Sequence, residues 1–291
     1  MVALVQKFDY PKSESELKEV LDNLYTETKC AVENHERPTF KGLLEIMTAD
    51  ATILTAIHNI KANKGSETSG SDEETLRINI LQKEYSEVIG RVKACFKQYR
   101  PLPVRRVLIP KPGKSENRPL GIPAIIDRIV QECVRIVIEP ILEAQFFKHS
   151  YGFRPMRDAN MAIGRLTHIT HSTGYHWVVE GDISKFFDNV NHRILLKKLW
   201  SIGIRDQRVL MIIKSMLKAG IMDELKINPL GTPQGGIISP LLANAYLDCL
   251  DKWITREWEE KSTRIKYANR DSRIQAQLLR TNLKPPCQIC R

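Results

Sequence analysis

The chain has 291 residues, a formal net charge of +10 and 42% hydrophobic residues. That length suggests about two domains, and the apolar fraction is enough for a real core. The charge excess points to a polyanionic partner, nucleic acid or an acidic membrane surface, while the longest apolar stretch, residues 129–147, is broken by Glu132, Arg135, Glu139 and Glu143 and cannot supply the ~20 apolar residues of a membrane span.

From the N-terminus, MVALVQKFDYPKS lacks the basic start and apolar run of a signal peptide, so a cytoplasmic location is expected. Residues 13–35 read as a helix: Ser13 and Glu16 form a capping box, and Leu17, Leu21, Leu24 and Thr28 follow at helical spacing. A second helix is expected over 42–62. The polar run NKGSETSGSDEET, Asn63 to Thr75, is a loop by composition, suited either to a linker or to a mobile flap over a ligand. A further helix is expected over 75–99.

Residues 100–125 change character. Prolines stand at 101, 103, 110, 112, 119 and 123, and between them lie the β-type runs VRRVLI and RPLGI. This pattern predicts a two-stranded hairpin over 104–122 with a basic tip. Arg100, Arg105, Arg106, Lys111, Lys114 and Arg118 crowd there against the single acid Glu116. A charge run is usually a solvated face, but here no matching acids neutralise it, which favours phosphate contacts.

A long helix over 124–147 follows, which Pro140 should kink or break. SYGFRP, Ser150 to Pro155, is a turn, and Asp158 begins a helix to about 171. HWVVEGDI reads as a buried strand ending at Asp182. Helices are expected over 191–200 and 205–219, then a loop, Asn228 to Gly236, then a helix from Pro240 to Lys261 with proline at its start. The tail 262–291 is basic. Four cysteines stand singly, as suits reduced thiols, and the CxxC pair Cys287 and Cys290 lacks the second pair of ligands that zinc requires.

Several blocks, in order, carry a family signature: PVRRVLIPKPGKSENRPLGIPAIIDRIVQECV, EPILEAQFFKHSYGFRP, VVEGDISKFFDNVNHRIL and GTPQGGIISPLLANAYLDCLD. Over roughly residues 60–260 the chain resembles the reverse transcriptases, or maturases, encoded by group II introns. The resemblance implies an RNA-directed DNA polymerase that takes part in retrohoming and assists intron RNA splicing. It implies Mg2+ as cofactor in a two-metal site, where two ions activate the primer hydroxyl and steady the leaving pyrophosphate, and hard ions take carboxylate and carbonyl oxygens. By resemblance, Asp182 is the catalytic carboxylate and a metal ligand, and the Ile183 carbonyl touches a metal. Phe186 would face the sugar of the incoming nucleotide, leaving no room for a 2′-hydroxyl, while Phe187 and Asp188 pack the turn. Lys111, Arg118 and Gln234 match nucleotide-binding positions, and Arg105 and Ile122 match positions against the template. Gly235 and Gly236 let the backbone come close, and Arg128 and Arg154 are candidates for ion pairs tying the region together.

One departure qualifies the match. The family's third palm motif, Tyr-Ala-Asp-Asp, does not occur; the nearest string, KYANRD (Lys266 to Asp271), puts Asn269 and Arg270 where acids belong. The expectation is a chain that stops short of that motif, leaving a truncated, inactive RNA-binding fragment. Its unpaired sheet edge would favour a homodimer. The implied fold is α/β (α+β): helix-rich fingers with a β-hairpin over 1–170, including the flap loop 60–75, then a partial palm over 171–291 on a small antiparallel sheet. Implied partners are intron RNA, an RNA template with DNA primer, and deoxynucleoside triphosphates, with no membrane. Two other readings stay open: a retron or diversity-generating reverse transcriptase, and a non-catalytic maturase scaffold.

Overall fold

The computed structural model describes residues 10–63, 65–110, 113, 115, 117–174, 177–178, 180–184, 186–220, 222, 235–259, 272 and 274. It is helix-rich, with one small antiparallel sheet among the described residues. They fall into two compact units, Met1–Tyr246 and Leu247–Arg291. No helix among them is long and apolar enough to cross a membrane.

Helix α1, Glu14–Glu33, starts where the capping pattern places it. Ser13 Oγ accepts from the Glu16 amide at 3.2 Å. The Glu16 carboxylate reaches back one residue further than a standard capping box, accepting from the Lys12 amide at 2.8 Å. The expected helix 42–62 is two helices, α2 (Leu43–Met47) and α3 (Asp50–Lys61). The break follows from Thr48, whose hydroxyl donates to the Leu44 and Glu45 carbonyls and competes with the backbone for them. Thr52 spans the break by donating to the Ile46 carbonyl at 2.6 Å. A π-helical turn, Arg77–Leu81, precedes α4, Tyr85–Lys97, so the helix expected over 75–99 is also divided.

Helix α5, Ile125–Glu143, forms the centre of the first unit. Most of its side chains are buried, and it packs against α1, α2, α3 and α4. Each fully buried Ile or Val on it, such as Ile129, Val134 and Ile138, stabilises the fold by ~1.5–3 kcal/mol. Pro140 does not end the helix, which runs on to Glu143. So near the C-terminus the disruption is confined to the last turn, and the Pro140 carbonyl still accepts from Ala144 at 3.1 Å.

The segment before α5 is docked rather than loose. Arg128 donates to the carbonyls of Pro123, Gly65 and Thr68. Asp72 accepts from the Ile125 amide at 3.2 Å, capping the start of α5. Gly70 lies so close that an added Cβ would sit 2.6 Å from the Ala124 Cα, which leaves room for glycine alone. The described residues of 65–75 are therefore bonded to the start of α5.

The hairpin stands as expected: β1 (Arg105–Pro110) pairs antiparallel with β2 (Asn117–Ile122), from Arg105 opposite Ile122 to Pro110 opposite Asn117. Its base is held by Val104, which donates to the Gly220 carbonyl and accepts from Met222. Helices α6 (Ala159–Thr173), α7 (His192–Ile202) and α8 (Gln207–Leu217) begin on the side-chain caps Asp158, Asn191 and Asp206. Helix α9, Ser239–Ile254, is followed by a π-helical turn to Glu259.

The buried strand expected at HWVVEGDI is not observed in its described part. Residues 177, 178 and 180–183 form no strand and are exposed, Trp177 at 70%. An apolar run becomes a buried strand only against a partner strand that takes its hydrogen bonds, and the only strands among the described residues are β1 and β2, which pair with each other.

Candidate functional site

The site is built on one face of the hairpin. Side chains alternate along a strand, so Arg105 and Val107 share a face with Ile122 and Leu120 across the ladder. The two template candidates, Arg105 and Ile122, are thus direct neighbours. Arg105 is half-buried, and its Nε is buried with no hydrogen-bond partner among the described residues. A buried donor left unpaired costs ~1–3 kcal/mol. Nearby, burial pushes the Arg128 guanidinium down, Asp72 pulls it back, and the charge of Arg105 adds to the depression.

Against this face comes the loop before α9. Gly235 has φ +114°, and a Cβ there would meet the Gly121 carbonyl at 2.3 Å and Leu120 at 2.9 Å. Only glycine allows so close an approach at that backbone angle. The loop is fixed from behind by buried Gln131 of α5, whose Oε1 accepts from the Ile237 amide at 2.9 Å.

Two cavities open beside Leu120, Gly235 and Ile237. The smaller, about 230 Å3, is bounded by Gly65, Thr68, Ile122 and Arg128. The larger, about 1040 Å3, is bounded by Asn59, Glu132, Arg135, Glu139, Phe153 and Phe187. Along its α5 wall runs an ion-pair ladder. Arg135 binds Glu132 through Nε at 2.7 Å and Glu139 through NH1 at 2.8 Å. Asn59 donates to the same Glu132 at 2.8 Å. Burial raises the Glu139 carboxyl, and Arg135 opposes the rise.

The carboxylate segment stands apart from this. Asp182 and Ile183 are exposed and border neither cavity. Phe186, half-buried, packs against the core and stands edge-on to Phe187 and Tyr246, at 5.6 and 6.0 Å between ring centroids. Phe187, expected to do no more than pack, lines the larger cavity. Lys111 and Gln234 lie outside the described residues, as does the side chain of Arg118; KYANRD and both cysteines of the CxxC fall outside them too. Among the described residues no group of three acidic, histidine or cysteine side chains could hold a metal ion. Asp182 with the Ile183 carbonyl alone supplies too few ligands for a two-metal site.

The two arginines proposed as ties behave differently. Arg154 is an ion-pair residue, its Nε 2.6 Å from Glu143 and its NH1 bonded to the carbonyls of Phe147 and Ser150. Arg128 works through the carbonyls named above. The sequence reading missed Asn59, Asn63, Gln131 and Phe153 as site residues. It met Glu132, Arg135 and Glu139 only as interruptions of an apolar run; their spacing places them along one helix face, which is the signal that could have found the ladder.

Residues 109–269 match the family of reverse transcriptases (RNA-dependent DNA polymerases). The chain is similar to the group II intron-encoded protein LtrA of Lactococcus lactis subsp. cremoris, 39% identical over 201 residues, covering 68% of this chain and 33% of LtrA. Protein YkfC of Escherichia coli (strain K12) is 35% identical over 260 residues, 86% of this chain and 68% of YkfC. An uncharacterized 91 kDa protein in the cob intron of Schizosaccharomyces pombe is 39% identical over 206 residues, 69% of this chain and 24% of that protein. A chain of a partial Cas6-RT-Cas1–Cas2 complex is 28% identical with a TM-score of 0.47, covering 74% of this chain and 35% of its own length. The chain thus spans about a third of LtrA.

Proposed function

The chain belongs to the reverse transcriptase (RNA-dependent DNA polymerase) family, and we propose that it acts as the RNA-holding part of a group II intron reverse transcriptase. Its partners on this reading are intron RNA, an RNA template with its DNA primer and deoxynucleoside triphosphates, in the cytoplasm of a bacterium. It would assist splicing by holding the intron RNA and serve retrohoming by presenting the template. Fingers over 1–170 carry the template contacts and a palm portion over 171–291 carries the carboxylate. Arg105 and Ile122 lie against the template; Lys111, Arg118, Phe186 and Gln234 hold the nucleotide. Asp182 and the Ile183 carbonyl are the ligands offered to Mg2+, which in such a site would stabilise charge on the transferring phosphoryl group.

The observation that carries the reading is half-buried Arg105 beside Ile122, on the hairpin face that closes against Gly235. A backbone phosphate passing that face would pair with the half-buried Arg105 side chain, and charge-assisted bonds of this kind are the stronger ones. A homodimer belongs to the same proposal, supported by the exposure of Trp177 and Val178 beside the carboxylate.

The test is RNA binding as a function of salt. Single-strand binding should fall with a log–log slope of about −0.7 per phosphate neutralised. Arg105→Gln should weaken binding and flatten the slope by about 0.7. An unchanged slope, or no RNA binding by the wild-type chain, would contradict the reading.

A further inference from the structure

The ring of Phe153 is 76% exposed although everything around its backbone is fixed. On one side, the Gly152 carbonyl accepts from Asn244 Nδ2 at 2.7 Å. On the other, Arg154 is locked to Glu143 and to the carbonyls of Phe147 and Ser150. Between these clamps Phe153 has φ +54°, a left-handed conformation that bulky residues rarely adopt. Strain of this kind persists only where the surroundings impose it, and it gathers at functional sites. The outcome is a large apolar ring held out to solvent by a rigid turn.

That ring lines the cavity of about 1040 Å3, together with Phe187. The rest of the lining says what the cavity does not take. Glu132 and Glu139 flank Arg135 and leave the wall one negative charge in excess, with the guanidinium already engaged by both carboxylates. A phosphate would be repelled. A neutral planar group with hydrogen-bond donors on its edge suits two phenyl rings, the Asn59 and Asn63 amides and these carboxylates.

We propose that this cavity receives one unstacked nucleobase of a single-stranded RNA, stacked on Phe153, while the phosphates stay outside on the basic hairpin. The proposal rests on the RNA-binding reading above and adds a base subsite to it. Every base has a face to stack, so the subsite fixes the position of a nucleotide and does not read its sequence. Exposed, strained Phe153 is a positioning element for the strand, preorganised at the expense of local backbone comfort.

The experiment is an abasic scan. The probe is an RNA of about 16 nucleotides, unmodified or with one abasic nucleotide at each position in turn, and the measured quantity is its affinity for the full chain. For the wild type, one window of positions should lose about tenfold on base removal, the effect of a single lost stack. Phe153→Gly accepts a positive φ without strain, so it should melt no lower than the wild type. It should bind the unmodified RNA about tenfold less tightly and show no abasic penalty in that window; Phe153→Tyr should restore both. A flat scan for the wild type would overturn the proposal, as would an equal penalty in Phe153→Gly. Failure of the wild-type chain to bind the unmodified RNA would overturn both this proposal and the RNA-binding reading, whereas binding with a flat scan would sink the subsite alone.

Discussion

The hairpin with helix α5 and the segment carrying Asp182 are both short pieces of one chain, yet they differ in almost every physical respect. The hairpin closes on its own cross-strand ladder, and its base is held through Val104. The segment before it is stitched down by Arg128 and Asp72. Among its described residues the Asp182 segment has neither a ladder nor a buried face, and Trp177, Val178 and Ile183 are exposed. The contrast teaches that a surface for recognition and a cluster of carboxylates draw on different structural resources. Gripping an RNA needs helices and a hairpin, all made from residues close in sequence. Assembling carboxylates needs strands that pair across long separations, and those cost loop-closure entropy before any contact repays it.

The comparison would break most visibly at Arg154. Its side chain is 3% exposed and its partner Glu143 14%, so truncation strands a buried carboxylate. Arg154→Ala should cost about 3–5 kcal/mol in denaturant unfolding. The same change should abolish RNA binding if the turn it holds supports the RNA-binding half. A loss under about 1 kcal/mol would mean that the pair behaves as a surface contact and that the clamp around Phe153 is weak.

A smaller effect sharpens the hairpin side. Burial pushes the Asp127 carboxyl up from 3.8 to about 6, with the Leu102 amide, 2.9 Å away, pulling the other way. The Tyr99 hydroxyl lies beside it, near enough to matter electrostatically but without hydrogen-bond geometry. Because the folded carboxyl binds its proton more tightly than the unfolded one, its contribution is full below pH about 4 and is lost as pH rises through about 6. Wild-type stability should therefore fall by about 2 kcal/mol across that window from this group. Asp127→Asn should remove that pH dependence, read from thermal melts between the two ends of the window. A wild type that instead gains stability at this group as pH rises would reverse the assignment.

The smallest effect is expected on the other side of the comparison. Asp182 is exposed, so Asp182→Ala should leave stability within about 0.5 kcal/mol. A larger loss would show that the segment is packed in solution and that the contrast drawn above is wrong.

What the sequence revealed follows the same division. The hairpin and its register-setting ends were legible because prolines and β-branched runs mark them locally, and Ser13 and Asp158 mark helix starts. The break at Thr48 was not legible, because a hydroxyl that competes for carbonyls leaves the apolar spacing intact. Arg105 and Ile122 could be paired once the hairpin was recognised. Phe153 could not be found, because nothing in SYGFRP announces a positive φ on a phenylalanine. The apolar run ending at Asp182 misled in the opposite direction: its composition suits a buried strand, but composition cannot supply a partner.

The central claim is that this chain holds RNA through its hairpin half while Asp182 alone does not make a polymerase. The most direct measurement is primer extension by the chain on an RNA template with a DNA primer, Mg2+ and all four deoxynucleotides, with RNA binding followed in the same samples and Asp182→Ala as control. The account predicts bound RNA and no extension. Extension that Asp182→Ala abolishes would contradict it, and would show that further carboxylates of this chain join Asp182 around the metal.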